Sequence, residues 1–300
     1  MKYLLSSLII FTVLTLYSCK SGSADKDFIK PLFSTYKKED KATPTAPEKN
    51  IIFYGVLSPV EICSIFNRLG VPYNSVALNP TSNKDLYLSS SKTALNTGIY
   101  GVDFGYLKMF GVGQEMINNI MTIREMSYNL GIPESILSIP IEKIQSNISD
   151  PDTIMRMVNT AYSRIDRHLR TEGRESTAGL ILLGGWVEAM YISTQLVYDP
   201  ANPDPEVVQR IAEQKYTLTS LLSLMKNYYD DPIVVYYSKK LKYLNRYFDS
   251  FEIFYKKGDL EIDIPNQLFR STGSEMTITV ETLNLIRDYV NKLRTEMVTP

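Results

Sequence analysis

Asn96, Tyr100 and Asp103 stand at i, i+4 and i+7, a spacing that lines three polar groups along one side of a helix inside an otherwise apolar stretch. A second set, Trp186, Glu188, Tyr191 and Gln195, marks another strongly apolar stretch. These residue types open three kinds of chemistry. Asp103 and Glu188 on facing helices, one with a raised pKa, would make the general acid and base of a hydrolase-like enzyme. The same groups, with Asn96, Tyr100, Trp186 and Tyr191, could instead line an interhelical cleft for a small polar ligand. The third possibility is a closed internal network, in which buried Asp103 and Glu188 take donors from Arg124, Arg164, Arg167, Tyr100 or Tyr191.

Other chemistries are excluded by count. His168 is the only histidine, and the residue three before it is Ile165, so the Glu-x-x-His pairs of a dinuclear iron bundle cannot be built. Zinc sites of the usual His and Cys kinds fail as well, and no metal or cofactor is expected. Cys63 or a serine with His168 as base lacks any nucleophile-elbow sequence. His168 itself reads as a surface or last-turn residue, placed to favour the helix dipole when charged. The glycine spacings around Gly105 to Gly113 lack a following Lys-Ser or Lys-Thr, so no phosphate loop is indicated.

The elements that must position these groups are helical. Ser58-Pro59-Val60-Glu61 is a capping box with proline at the first helical position and a hydrophobic staple between Leu57 and Ile62. Acid-then-proline starts recur at Asp150-Pro151, Asp204-Pro205 and Asp231-Pro232, while Gly70, Gly131, Gly173 and Gly258 sit where apolar runs end. The punctuation predicts helices over 58–69, 84–110, 113–130, 151–171, 174–198, 205–229, 232–257 and 279–298, with a short turn at 133–147. Residues 259–278 read as one longer loop: Leu260 to Ile264 alternates like a strand but shows no partner.

Within that frame, Tyr237, Leu241, Leu244, Phe248, Phe251 and Tyr255 form one apolar seam, and Tyr236, Tyr243, Tyr247 and Phe254 a second stripe on the same predicted helix. The closing helix, with Ile286, Val290, Leu293 and Met297 in the same rhythm, is the expected packing partner. Ala94, Gly98, Gly101 and Gly105 share nearly one face, and Gly184-Gly185 interrupt the apolar run at 174–198. Each interior glycine costs about 1 kcal/mol against alanine, so the two helices are expected to cross with their backbones close together.

The amino end carries an address. Lys2 precedes an apolar segment of about 14 residues, short of the roughly 20 that a spanning helix needs, and it closes with Leu16-Tyr17-Ser18-Cys19. This is the pattern of a bacterial lipoprotein signal. Cleavage before Cys19 and acylation of its thiol are expected, with membrane contact through that lipid. Residues 1–18 are then signal peptide, 19–50 a lipidated tether and 51–300 a single helical domain. The tether reaches roughly 100 Å if extended, and its apolar patch Phe28 to Tyr36 either docks on the domain or stays part of a loose arm.

Removing the signal peptide leaves 31 basic against 33 acidic residues without a basic cluster, so nucleic acid is not an expected partner. Only Cys63 remains once Cys19 is acylated, which excludes an intramolecular disulfide. Stability must come from a core, for which a chain 44% apolar suffices.

The stretches Ala94-Leu95-Asn96-Thr97-Gly98-Ile99-Tyr100-Gly101-Val102-Asp103 and Leu183-Gly184-Gly185-Trp186-Val187-Glu188-Ala189-Met190-Tyr191 resemble those of a group of uncharacterised all-helical lipoproteins from Bacteroidetes-type bacteria. The resemblance spans most of the mature domain. It implies an all-helical envelope protein on the outer membrane, since Lys20 rather than aspartate follows the lipidated position. It transfers no activity. The expectation is thus an all-α irregular bundle of about seven to nine helices. Its expected role is binding an envelope protein, a glycan or a small ligand, with the acid/base enzyme and a purely structural envelope spacer as alternatives.

Overall fold

The computed structural model describes residues 69–137, 150–255, 260–263, 268–271 and 274–300. The signal peptide, Cys19, the tether, the Ser58 capping box, Cys63, Gly258 and most of the 133–147 turn lie outside the described residues. The architecture is all-α. Seven long helices are described: α1 Ser90–Met109, α2 Gly113–Asn129, α3 Pro151–Thr171, α4 Glu175–Ile192, α5 Pro205–Lys226, α6 Pro232–Phe248 and α7 Val280–Val298. One helical turn, Glu134–Leu137, lies between α2 and α3, and a π-helical turn, Ser193–Val197, extends α4.

The starts follow from side-chain caps. Asp150, Asp204 and Asp231 each accept backbone N–H groups of the first turn, with proline in that turn, and Ser89 and Thr279 do the same for α1 and α7. Gly131 and Gly173 follow α2 and α3 at φ of 71° and 68°, a left-handed conformation that stops a helix at little cost only for glycine. Ser89 also explains why α1 begins at Ser90 rather than at 84. Its hydroxyl accepts from Lys92 N, and the preceding residues form a 3-10 segment, Thr81–Leu86, joined to the helix by extended backbone.

The carboxyl-terminal half departs further from expectation. The helix predicted to reach 257 ends at Phe248, and the predicted loop at 259–278 contains strands. β1 (Ile253–Tyr255) pairs antiparallel with β4 (Ser274–Met276), and β2 (Leu260–Asp263) with β3 (Leu268–Ser271). The partner that Leu260 seemed to lack is only a few residues downstream. The apolar three-and-four spacing simply runs past the end of α6, so Phe251 is buried without being helical. Along the helix the seam holds: Tyr237, Leu241, Leu244 and Phe248 are buried and face Ile286, Val290, Leu293 and Met297 of α7 in one core. From the second stripe, Tyr243 stacks on Tyr289 of α7 with centroids 5.1 Å apart.

α4 is the spine. Glu175–Val197 is long and apolar enough to cross a membrane by composition, yet most of it is buried within the bundle. Its longest contact is with α1, and this is where the glycines act. A Cβ on Gly98 would fall on the carbonyl oxygen of Ile181, and one on Gly184 on that of Leu95, both far inside contact distance. The nearest atom to a Cβ on Gly185 is Gly98 O at 3.5 Å, an ordinary contact. Gly101 has another reason: the Tyr162 hydroxyl occupies its Cβ position and donates to Thr97 O at 2.8 Å.

This contrast is testable. Gly98→Ala or Gly184→Ala should cost about 3 kcal/mol or more, read as a lower urea midpoint, because carbonyl oxygens cannot yield as a side chain would. Gly185→Ala should be neutral to mildly stabilising. Equal losses at all three positions would refute close backbone contact as the cause.

Candidate functional site

The α1/α4 crossing sets Asp103 beside Glu188, and α7 closes the site with Arg294. Glu188 is fully buried and accepts two hydrogen bonds from this guanidinium, Nε to Oε2 at 2.9 Å and Nη2 to Oε1 at 3.1 Å. Arg294 Nη2 also donates to Ala77 O at 3.0 Å, and the guanidinium lies 4.5 Å from the centre of the Tyr191 ring. Asp103, also without exposure, accepts from Asn79 N through Oδ2 at 3.1 Å.

One cation therefore faces two buried carboxylates. Burial pushes Asp103 well above the usual carboxylate range, and the Glu188 charge adds to the push, while Arg294 opposes both. Glu188 is also raised by burial, with Arg294 pulling it back through charge and hydrogen bonds. The proton belongs on Asp103. Its Oδ1 has no N–H or O–H donor among the described residues, and Asp103 lies within hydrogen-bonding reach of Glu188. A proton retained on Asp103 would let it donate to a Glu188 that keeps its charge against Arg294.

The other predicted residues divide. Asn96 and Tyr100 join Asp103 on one face of α1, as their spacing requires. Asn96 accepts from Asn79 Nδ2 and donates to Lys92 O and Met297 O, at 2.9 to 3.0 Å. The Tyr100 hydroxyl donates to Pro80 O at 2.8 Å. Tyr191 is half-buried under Arg294, and burial raises its pKa. Trp186 is not part of the group: its Nε1 donates to Gln214 Oε1 on α5 at 3.2 Å. Gln195 donates to Arg287 O at 2.9 Å.

None of the arginines expected from the sequence serves the carboxylates. Arg164 and Arg167 are exposed on α3, and Arg124 pairs with Glu134 at the surface. The donor is Arg294, within the last two turns of α7. Its signal was present in outline, as a charge at i+1 from Leu293 and i−3 from Met297, beside the buried stripe. Asn79 and Tyr87 were also missed. Asn79 is 2% exposed and its Nδ2 donates to the Tyr87 hydroxyl at 3.0 Å, while that hydroxyl donates to Val298 O at 3.0 Å.

The partners of the cluster share a feature that no residue spacing displays. Ala77, Asn79, Pro80 and Tyr87 all belong to residues 71–89, a strap of 3-10 turns and extended backbone laid over α1 ahead of its first turn. Asp103, Tyr100 and Arg294 thus bond to the chain's own strap. Among the described residues, no three of His, Cys, Asp and Glu converge to hold a metal ion. Comparison with models of known protein families, with curated proteins and with solved structures returned no match.

Two outcomes follow for stability. Folded Asp103 holds its proton above the pH at which the unfolded chain loses it, so its contribution is whole below about pH 4 and declines as pH rises through the folded value. Across that window urea melts of the wild type should lose about 1.4 kcal/mol per pH unit on this account. Asp103→Asn, whose amide can donate to Glu188, should remove that slope and be at least as stable as the wild type at pH 8; an unchanged slope would exclude the shared proton. Arg294→Met should cost about 3 to 5 kcal/mol by leaving the buried carboxylate uncompensated, and Glu188→Leu/Arg294→Met clearly less. A double variant as unstable as the single one would show that the two groups are not coupled.

Proposed function

We propose that this chain is a lipid-anchored protein of the cell envelope, held at the outer membrane through Cys19, that acts by binding and not by catalysis. Its partner is an envelope protein, a glycan or a small ligand. The anchoring rests on Leu16-Tyr17-Ser18-Cys19 behind a short apolar segment, and the outer-membrane address on Lys20.

One observation carries the choice of binding over catalysis. Asp103 and Glu188 have the proximity and the raised pKa that acid/base work needs, yet neither has any exposure. Both Glu188 oxygens are held by Arg294, and Asp103 Oδ2 by the backbone of Asn79. A substrate would have to displace the strap and separate a buried ion pair before meeting either group. The network acts instead to tie the strap, α1, α4 and α7 together.

The anchoring is tested in the host by labelling with radioactive palmitate and fractionating membranes. The wild-type chain should incorporate label and sediment with outer membrane, whereas Cys19→Ala should take up none and keep residues 1–18 by mass. Equal labelling of both chains, or a soluble wild type, would refute it.

A further inference from the structure

Residues 71–89 are held on the bundle in the manner of a bound peptide. In this strap the backbone–backbone hydrogen bonds are local, Leu78 N to Ser75 O, Asn83 N to Pro80 O and Leu88 N to Leu86 O, and among the described residues only the last strap residue, Ser89, bonds a helix, its carbonyl accepting from Thr93 N at the start of α1. The strap is gripped instead by side chains that read its main chain in alternate sense. Tyr106 Oη accepts from Asn74 N at 2.9 Å, Arg294 Nη2 donates to Ala77 O, Asp103 accepts from Asn79 N, and Tyr100 Oη donates to Pro80 O. Asn79 is the side chain read within the groove, by Asn96 of α1, and it is braced by Tyr87 of the strap itself. Apolar anchoring of the strap comes from buried Ala77, Leu78 and Tyr87, while Val76 is 90% and Leu88 92% exposed. Leu88, Ser89 and Ser90, where the strap joins α1, are all exposed, so opening them as a hinge buries and unburies no side chain there and costs chiefly the Ser89 cap on Lys92 N and the bonds from Thr93 to Ser89 O.

We propose that the groove lined by Tyr100, Asp103, Tyr106 and Arg294 is a peptide-binding site, and that its ligand in trans is the same strap from a second copy of this chain, exchanged reciprocally about residues 88–90. The occupant is specified by chemistry: two accepting and two donating side chains match the N–H groups of residues 74 and 79 and the C=O groups of 77 and 80, with Asn79 as key. A glycan offers hydroxyls and no such fixed series of donors and acceptors. Exchange of an identical element creates no new interface to optimise and gains mainly from local concentration. That concentration rests on the proposed anchoring, which would hold copies in one membrane plane; the groove itself does not depend on it.

Hydrogen exchange on the wild-type mature chain with Cys19→Ser, followed residue by residue, tests whether the strap opens by itself. The amides of Asn74 and Asn79 should exchange at least tenfold faster than those at the centre of α1 and α4; exchange only together with the core would overturn the proposal. A fluorescent peptide of residues 71–88 should bind the same chain on warming below its melting midpoint, and a peptide with Asn79→Ala at least tenfold more weakly. Differently tagged copies warmed together should then co-purify, and excess wild-type peptide should prevent it. Absence of peptide binding, indifference to Asn79→Ala or failure of the copies to mix would each refute exchange, and all are read without the lipid, so palmitate labelling stands or falls separately.

Discussion

The arrangement depends on how closely two backbones can approach. α1 and α4 cross where Gly98 and Gly184 each lie against a carbonyl of the other helix, leaving no room for a Cβ at either place. Glycine in a helix costs about 1 kcal/mol at each position, and the return is contact between main chains that side chains would otherwise hold apart. A closer axis also brings short side chains within reach. Asp103, five residues beyond Gly98, and Glu188, four beyond Gly184, meet because the crossing is tight.

That proximity creates an electrostatic problem which the rest of the fold solves. Two carboxylates without solvent would be strongly unfavourable as a pair of charges, and one guanidinium neutralises only one of them. The raised pKa of Asp103 answers this: a proton retained there would supply the missing balance and a donor at the same time. Arg294 is itself stabilised by the π face of Tyr191 and by the Ala77 carbonyl, so the ion pair is tied to the strap as well as to α4. Three regions of the chain far apart in sequence, the strap with α1, α4 and α7, thereby share one polar centre.

Much of the helical frame was legible. The Asp-Pro starts, the glycines that end α2 and α3 and the seam shared by α6 and α7 are local or periodic features, and each does in three dimensions what its chemistry requires. Where reading failed, two local patterns competed. Ser89 captured the start of α1 from a run that looked helical from 84, and the three-and-four spacing of Phe251 and Tyr255 persisted after α6 had ended at Phe248. The two antiparallel ladders between α6 and α7 are built from strands of three or four residues, too short for alternation to stand out.

For the candidate site, the amino-acid order alone determined that Asn96, Tyr100 and Asp103 share a face, that Glu188 lies on a glycine-marked apolar helix and that the two helices approach closely, because helical periodicity and the missing Cβ are properties of each segment. Only the tertiary structure decided that Trp186 turns to Gln214, that Arg294 supplies the counter-charge and that residues 71–89 bond to Asp103 and its neighbours. Those choices depend on which distant groups arrive at one buried point. A carboxylate removed from water takes whichever donor the packing of the whole chain delivers, and that delivery has no periodicity to be read along the sequence.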